Sequence, residues 1–363
     1  MLSIDGAYLE GGGQIVRTAL ALSALTGKQF EVFGIRKGRC DSGLKQQHIF
    51  CVNALKEFCS AKTEGVFSGS EHMSFFPGVF KGRTVSLDVG TAGSTTLLLQ
   101  SVLAPMIFAG KKSRLRLCGG TDVKWSQPVD YLQHVFIPHL RKFADIGFRV
   151  EKRGYFPKGG GRIDLSVKPK YCLSEFRDFA GFQRYLKEEA PKIELNKQGK
   201  LLQVKGISHA SSGLQEQEVA ERQARAARHS LRVDCPVRIQ VEYADSLCAG
   251  SGISLWALFA NEQGELDEFN PVILGADSLG ERGKRAELVG QEAADSLMNE
   301  IGSKAPVDRH LADQLIPFMA LTGASSIFCS ELTNHCRTNM KVVEDFLGKT
   351  FEIDEKNRLI KTL

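Results

Sequence analysis

The sequence lacks the cysteine spacing that a disulfide framework or a zinc site requires. Its nine cysteines are an odd number, scattered along the chain, and no two of them form a CxxC pair. Disulfide-rich domains and zinc ribbons use closer and more regular cysteines. Most of these cysteines lie in apolar runs, so we interpret them as small core residues of a protein in a reducing compartment.

The sequence also has little that would bring it to a membrane. Its first residues, MLSIDGAYLEGGG, lack the basic segment followed by an apolar segment that makes a signal peptide. The longest apolar run, TTLLLQSVLAPMIFAG, is too short and too interrupted to span a bilayer. We therefore expect a cytoplasmic protein with no membrane partner.

A strong net charge of either sign is missing as well. The 363 residues carry a formal net charge of +5, and 42% of them are hydrophobic and 25% charged, which is typical of a globular protein. This mild basicity permits an anionic partner such as a nucleotide or RNA. It does not require one, because surface charge also keeps proteins soluble.

The sequence does contain a weak internal repeat. Three stretches, from Gly11, Gly90 and His310, each have a polar entry, an apolar helix of three or four turns and a short β-rich run. The glycines predicted to end the three helices are Gly27, Gly110 and Gly323. The helices are apolar nearly all round, which favours burial. We predict an α/β protein built from repeated helix-and-sheet modules.

The composition and the pattern of the sequence change between about Gly181 and Asp277, and we predict that this stretch is an inserted small domain. A highly charged segment is followed there by a β-α-β-β pattern. The predicted large domain then comprises residues 1–180 and 278–363, and the insertion comprises 181–277. One helix face of the insertion is compatible with phosphate binding or with plain solvent exposure; its basic residues are Arg222, Arg225, Arg228 and Arg232.

Four glycine-rich stretches are candidates for phosphate binding: EGGGQIVR, GTAGST, CGGTD and RGYFPKGGGRI. A glycine loop that opens a helix directs free N–H groups and the helix dipole at an anion, although tight turns need glycine too. None matches a P-loop or a dinucleotide fingerprint. Together they favour phosphate binding. Basic residues accompany them and suit phosphate oxygens: Arg17, Arg36, Lys37, Arg39 and Arg153.

Two further residues stand out by position. Glu10 directly precedes Gly11–Gly13, and a carboxylate beside a phosphate site suggests an intervening divalent metal, with solvent exposure as the alternative. His310 begins the third apolar helix, where the other two helices begin with glycine loops. A neutral imidazole is a competent nucleophile. Residue chemistry alone leaves open whether His310 is catalytic or structural.

These motifs resemble those of the RNA 3'-terminal phosphate cyclases. RGYFPKGGGRI looks like the signature of that family, and DGAYLEGGGQIVRTALALSALTG, IRKGRCDSGLKQQH, GTAGSTTLLLQSVL, CGGTD and HLADQLIPFMAL fall in the family's order. The resemblance covers essentially the whole chain. It implies an α/β (α+β) fold, with a large domain of three βαβαββ-type repeats and a smaller domain inserted between the second and third.

The resemblance also implies a reaction and its residues. ATP would convert an RNA 3'-phosphate end to a 2',3'-cyclic phosphate, releasing AMP and diphosphate. His310 matches the histidine that accepts AMP, and Glu10 matches the glutamate that contacts Mg²⁺ or Mn²⁺. Residues matched to positions near the phosphates are Arg17, Arg39 and Gln47. Residues matched to nucleotide contacts are Gln100, Pro128, Lys284, Arg285, Ala286, Glu287 and Leu288.

The chain departs from the family at one of these positions, and two alternative functions have to be weighed against the cyclase reaction. Arg285 stands where an aromatic residue is usual; its planar guanidinium can also stack. A cyclase-like branch of the same fold acts in ribosome assembly without catalysis, and the intact HLADQ argues against that interpretation. The enolpyruvyl transferases share the architecture, and RGYFPKGGG argues against them.

Overall fold

A computed structural model describes residues 1–261 and 263–363. The first repeat forms a four-stranded sheet covered by two helices. In chain order its elements are β1 (Leu2–Asp5), α1 (Gln14–Thr26), β2 (Phe30–Phe33), α2 (Gln46–Cys59), β3 (Lys62–Glu64) and β4 (Met73–Phe76). Strand β1 lies parallel to β2, and β4 pairs antiparallel with both β2 and β3. The sheet order is therefore β1-β2-β4-β3.

The second repeat has the same order of elements. They are β5 (Thr84–Asp88), α3 (Thr95–Phe108), β6 (Ser113–Gly119), α4 (Val129–Tyr131), a π-helical turn (Leu132–Phe136), α5 (Ile137–Leu140), β7 (Ala144–Lys152) and β8 (Gly161–Pro169). The sheet order, β5-β6-β8-β7, repeats the topology of the first sheet. The second helix of this repeat is thus interrupted by a π turn, a feature that frequently occurs at functional sites.

The third repeat begins after α6 (Phe179–Glu189) with the short strand β9 (Glu194–Leu195), and the chain then leaves it to form a separate unit. That unit comprises β10 (Lys200–Ser211), α7 (Val219–Ser230), β11 (Val237–Ala244), β12 (Ser251–Ala260), β13 (Val272–Leu279) and α8 (Ala286–Gly302). Its sheet has the order β11-β10-β12-β13, and α7 and α8 pack against each other and against the sheet.

The third repeat resumes with α9 (Arg309–Thr322), β14 (Ser326–Phe328), α10 (Asn334–Leu347), β15 (Phe351–Asp354) and β16 (Leu359–Thr362). Strand β14 lies parallel to β9 and antiparallel to β16, which gives the sheet order β15-β16-β14-β9. The three sheets are therefore topologically equivalent. The predicted α/β fold of three βαβαββ repeats with an inserted unit is confirmed.

The repeat helices meet in one hydrophobic core, because they are apolar on most of their surface. In α1 every residue from Gln14 to Leu25 is buried, and α1 packs on both α3 and α10. Gly27 (φ 71°) and Gly323 (φ 63°) follow α1 and α9 as predicted. The prediction for Gly110 is wrong: α3 ends one residue earlier, at the cap Ala109, and Gly110 instead packs closely against Phe80.

The inserted unit has a core of its own, which bears on its limits. A second hydrophobic cluster runs from Val204 to Leu297 and includes residues of α8. Helix α6 packs on α9, and β9 pairs with β14, so both belong with the third repeat. We therefore propose that the insertion starts after β9 and ends after α8, rather than at 181 and 277. The charged sequence of α6 concealed its apolar face, Phe182 and Leu186.

Two observations concern the environment of the chain. None of the helices within residues 1–261 and 263–363 is long and apolar enough to cross a membrane. All nine cysteines are free thiols, and four of them are buried, namely Cys51, Cys59, Cys329 and Cys336.

The packing of α7 on α8 depends on a glycine, which gives a test of the fold. A Cβ at Gly290 would lie 2.1 Å from the backbone oxygen of Gln223, whereas a Cβ at Gly302 would meet nothing within 4 Å. We expect Gly290→Ala to lower the free energy of unfolding by about 1–3 kcal/mol. Gly302→Ala, the matched control, gains helix propensity and should be neutral or stabilising by up to about 1 kcal/mol. Urea denaturation measures both, and equal midpoints would contradict the packing.

Candidate active site

A buried carboxylate fixes the first turn of α9, which carries His310. The N-cap Asp308 accepts the backbone N–H groups of His310 and Leu311 through Oδ1, each at 2.9 Å. The same oxygen accepts the hydroxyl of Tyr131 at 2.7 Å, and Oδ2 accepts the backbone N–H of Gly275 at 2.9 Å. Asp308 is completely buried. The second repeat and the inserted unit are thus both bonded to the start of the third-repeat helix.

The side chain of His310 is left free by this arrangement. The residue is exposed, and its ring meets the ring of Tyr131 edge-on, with centroids 6.3 Å apart. Burial raises the pKa of Asp308, and the nearby His310 lowers it in turn. A rigid backbone that presents a solvent-facing imidazole is the geometry that a nucleophile needs.

Glu10 lies in a small cluster of polar and charged groups where the first glycine loop begins. Its Oε2 is 3.2 Å from Nη2 of Arg39 and 3.1 Å from Nε2 of His335, and Nε of Arg39 donates to its backbone oxygen at 3.0 Å. Burial lowers the pKa of His335, so its imidazole is mainly neutral at pH 7. Glu10 and Arg39, both predicted site residues, are therefore in direct contact.

Asp313 connects this cluster to the helix of His310. It lies one turn further along α9, 3.9 Å from Nδ1 of His335, and accepts Nε2 of Gln14 at 3.0 Å. Burial raises the pKa of Asp313 to about 7, outweighing the opposite effect of Arg17. The first turns of α1, α9 and α10 consequently converge on one point.

Arg17 and Gln100 lie beside that point and bind each other. Arg17 is buried in α1, and its Nε donates to Oε1 of Gln100 on α3 at 3.0 Å. Gln100, Asp313 and Gln314 line a narrow cavity of about 30 Å³. Burial lowers the pKa of Arg17. The guanidinium retains its charge, because arginine stays protonated in proteins.

The first glycine loop has a steric requirement that the sequence did not reveal. A Cβ at Gly13 would lie 1.9 Å from Nε2 of His48, so only glycine fits against this ring. Nδ1 of His48 accepts the backbone N–H of Lys45 at 2.9 Å. Burial, together with the charge of Arg17, lowers the pKa of His48 to about 3, which keeps the ring neutral. At least one glycine of the loop is thus present for packing on α2.

Pro128 lies next to α9. It is the N-cap residue of α4, and the side chain of the preceding Gln127 is 3.5 Å from Gln314. The backbone oxygen of Gln127 also accepts the hydroxyl of Thr96 at 2.8 Å, which ties this turn to the start of α3. Pro128, a predicted nucleotide contact, is therefore held between the second and third repeats.

The segment 284–288 follows Glu281, whose carboxylate pairs with Lys124, four residues before Pro128, at 2.9 Å. Within the segment, Lys284 pairs with Glu292, and Glu287 forms two hydrogen bonds to Arg222, at 2.8 and 3.0 Å. Ala286 is buried, and Arg285 and Leu288 are exposed. Two of the predicted nucleotide contacts, Lys284 and Glu287, thus have charged partners inside the inserted unit.

The basic helix face of the insertion also contacts groups within the inserted unit. Arg222 binds Glu287, Nη2 of Arg228 donates to the backbone oxygen of Ile239 at 2.8 Å, and Arg225 lies 4.0 Å from Glu218. These contacts favour the interpretation of a structural, solvent-facing surface over a phosphate site.

Gln47 is not brought to the His310 cluster. It borders a separate cavity of about 580 Å³ between the second repeat and the inserted unit, together with Ser94, Trp125, Phe156 and Arg282. Its neighbour His48 packs against Gly13, so this cavity is adjacent to the first glycine loop.

Comparison with known proteins decides the family. A family model described as RNA 3'-terminal phosphate cyclase matches residues 8–353. The RNA 3'-terminal phosphate cyclase of Pyrococcus abyssi is 42% identical over 356 residues, covering 98% of this chain and 95% of that protein. The cyclase of Pyrococcus furiosus is 43% identical over 97% of this chain and 95% of its own, and that of Methanosarcina acetivorans is 43% identical over 99% of both.

The chain belongs to the RNA 3'-terminal phosphate cyclase family. The predicted family is confirmed, and with it the expectation of an enzyme of this class. ATP use follows from the family.

In this cyclase-family chain, one buried cluster resembles a metal site but does not fit one. Ligand atoms of Asp122, Asp130 and His209 lie within 4.8 Å of one another, the only such group found in the part of the chain that the structure describes. Arg153 already pairs with the two aspartates: its Nη1 is 3.3 Å from Asp122 and its Nη2 is 2.9 Å from both Asp130 and Glu242. A guanidinium therefore supplies the positive charge that an ion would bring.

The family signature RGYFPKGGG explains how this cluster is assembled. Arg153 supplies the guanidinium, and the hydroxyl of Tyr155 lies 2.9 Å from Nδ1 of His209 on β10. A Cβ at Gly159 would lie 2.4 Å from the backbone oxygen of Thr91, and one at Gly160 would lie 2.3 Å from the side chain of Leu247. The glycines thus let the loop fit between the second glycine loop and the inserted unit.

Sequence reasoning missed several residues of the site, namely Tyr131, Asp277, Asp308, Asp313 and His335. Asp308 had a local signal, since an aspartate immediately before an apolar helix is a common N-cap. Asp313 lies within the motif HLADQ, but its contact with Gln14 joins positions 299 apart. Tyr131, Asp277 and His335 had no local signal; Tyr131 and Asp308, for example, are 177 positions apart.

Asp277 gives a pH-dependent test of how these units are joined. Burial, together with the carboxylates of Asp122 and Asp308, raises its pKa to about 7. The folded protein then holds a proton that the unfolded chain releases near pH 4, so stability should fall as the pH rises from about 4 to about 7. Asp277→Asn cannot titrate and so removes this part of the pH dependence. The free energy of unfolding of the variant, relative to that of the wild type, should therefore be roughly 1–3 kcal/mol higher at pH 8 than at pH 5.

The measurement is the free energy of unfolding in urea at both pH values, for the wild type and Asp277→Asn. Asp295→Asn, an exposed substitution on α8, is the control. Parallel pH curves for wild type and Asp277→Asn would show that this carboxyl does not titrate differently on folding.

Proposed function

We propose that this protein converts an RNA 3'-terminal phosphate to a 2',3'-cyclic phosphate, through AMP carried covalently on His310 and then on the RNA end. The observation that carries the proposal is the exposed imidazole on a helix turn whose backbone is fixed by the buried Asp308. It is supported by the family, by the contact between Glu10 and Arg39, and by the convergence of α1, α9 and α10.

The first step is the transfer of AMP to the enzyme. A ring nitrogen of His310 attacks the α-phosphorus of ATP, an N–P bond forms, and the bond to the bridging oxygen breaks to release diphosphate. We assign Arg17 and Arg39 to the phosphates, because guanidinium groups bind phosphate oxygens in pairs. We assign the adenosine to the space between Pro128 and Arg285, near Gln100, with Lys284, Ala286, Glu287 and Leu288 flanking it.

The second and third steps involve the RNA. An oxygen of the 3'-phosphate attacks the phosphorus of the histidine-bound AMP, which restores the free imidazole and leaves AMP on the RNA end. The neighbouring 2'-hydroxyl then attacks the 3'-phosphorus, loses its proton and expels AMP. Both reacting groups belong to one ribose, so ring closure gains from proximity. We assign Gln47 to the RNA phosphate.

Glu10 fits the metal that the family implies. Mg²⁺ is commonly held by one or two carboxylates, with substrate phosphates and water completing its shell, so a single half-exposed carboxylate beside the phosphate loop suffices. When bound, Mg²⁺ or Mn²⁺ would neutralise phosphate charge. The neutral His335 beside Glu10 adds a nitrogen donor.

The second candidate function is a non-catalytic, RNA-binding role in ribosome assembly. An intact HLADQ, with its histidine exposed, disfavours it. We also propose a cytoplasmic location, in keeping with nine free cysteines.

His310→Ala tests the proposed nucleophile. Incubation with α-labelled ATP and metal should label the wild type, and the variant should lose the label entirely because it lacks the imidazole that accepts AMP. His72→Ala, at an exposed position in the first repeat, is the matched control and should label normally. An RNA ending in a 3'-phosphate should then remove the label and acquire a cyclic end. Label that survives in His310→Ala would place the nucleophile elsewhere.

Glu10→Ala tests the metal assignment. The variant should need at least about tenfold more metal for half-maximal adenylation, since it lacks the carboxylate beside the phosphates. Glu31→Ala is the control, because Glu31 also pairs with a histidine, His72, on the surface of β2. A metal titration of adenylation measures both, and an unchanged curve for Glu10→Ala would refute the assignment.

A further inference from the structure

The 580 Å³ cavity between the second repeat and the inserted unit is not explained by the chemistry at His310. Its walls come from α2, the second glycine loop, the Trp125 turn, the signature loop and the end of β13. The volume is within the range of ligand sites in proteins. The cavity begins beside Gln47, next to the ring of His48 that supports the first glycine loop.

Two aromatic side chains at this cavity are left bare by folding. Trp125 is 95% exposed and Phe156 is 74% exposed, although large aromatic side chains are mostly covered in folded proteins. Both line the cavity. Their exposure therefore calls for a partner with flat apolar surfaces.

Both aromatic residues are held by rigid backbone. Trp125 has φ 67°, a left-handed conformation that costs free energy for a bulky residue and persists only where the surroundings impose it. Phe156 follows Tyr155, which is fixed by His209, and precedes the tightly packed Gly159 and Gly160. The two rings are thus presented by fixed turns, which reduces the entropy lost on binding.

The charge that remains at the cavity is positive. Glu281 pairs with Lys124, and Asp122 pairs with Arg153 and His209. Arg282 lines the cavity and Lys158 follows Phe156 by two residues; both are exposed, and neither has an ion-pair partner within residues 1–261 and 263–363. Ser94, at the start of α3, adds the positive end of a helix dipole. The cavity is therefore suited to an anion with flat apolar parts.

We propose that this cavity binds the last unpaired nucleotides of the RNA substrate, with bases stacked on Trp125 and Phe156 and backbone phosphates facing Arg282 and Lys158. The inference rests on the proposed function, since it names the binding site for that RNA. Stacking on aromatic rings with cations along the backbone is how proteins hold single-stranded RNA without reading its sequence. The same cavity would exclude 3'-terminal nucleotides that are paired in a duplex, because duplex bases are already stacked on their neighbours and cannot separate to reach both rings.

Direct binding tests the two rings. The probe is a 5'-fluorescein-labelled single-stranded RNA ending in a 3'-phosphate, followed by anisotropy. Trp125→Leu and Phe156→Leu should each weaken binding about tenfold, within the range found for loss of one stacked base. Phe269→Leu is the matched control: Phe269 is 58% exposed but does not line the cavity, and its affinity should match the wild type. Thermal unfolding confirms that each variant is folded.

Abasic RNA separates stacking from general damage. An RNA whose last two nucleotides lack bases loses both stacking contacts and should bind the wild type about a hundredfold more weakly, and the double variant Trp125→Leu/Phe156→Leu should no longer distinguish the two RNAs. Such non-additivity identifies a direct contact. Additive losses, or equal affinity of all variants for the intact RNA, would overturn the proposal.

Tryptophan emission provides an independent readout. The chain has two tryptophans, and Trp256 is buried and stacked on His134 with ring centroids 4.2 Å apart. RNA should quench the emission of the wild type and leave that of Trp125→Leu unchanged; quenching that persists in Trp125→Leu would count against the site. Failure of the proposed function is a different result, namely absence of adenylation or of a cyclic product with wild-type protein.

Discussion

The Asp308 carboxylate bonds three parts of the fold to one another and so fixes the turn that carries His310. One buried side chain caps α9, accepts the hydroxyl of Tyr131 from the second repeat and accepts a backbone N–H of Gly275 from the inserted unit. Since buried carboxylates are costly unless all their bonds are made, the three parts must be assembled together for this turn to be stable. His310 therefore acquires its orientation only in the complete fold.

The buried cluster formed by Arg153 with Asp122, Asp130 and His209 joins the inserted unit to the second repeat. Arg153 joins Asp122 and Asp130 to Glu242 on β11, and the glycines beyond it fit against Thr91 and Leu247. A buried network of this kind favours one arrangement of two units over others, at a cost in desolvation. The cavity bordered by Trp125 and Phe156 is lined by residues of both units, among them Asp122 of this network.

The fold was largely predictable from the sequence because the first helix of each repeat is apolar on most of its surface and α1 and α9 are followed by glycine. The exceptions have physical causes. Gly110 marks close packing against Phe80 rather than a helix end, and the charged sequence of α6 hid the face formed by Phe182 and Leu186. For the site, motifs pointed to His310, Glu10 and Arg39. Asp313 lies within the motif HLADQ, but the motif gave no role for it, and no motif contained His335; the roles of both arise from contacts between distant segments.

Tandem mass spectrometry of peptides, after incubation with ATP and metal, shows directly which residue carries AMP. We expect one AMP on the imidazole of His310, lost when RNA with a 3'-phosphate is added and retained when the same RNA ends in a 3'-hydroxyl. AMP on another residue, or AMP on His310 that a 3'-phosphate end does not remove, would contradict it.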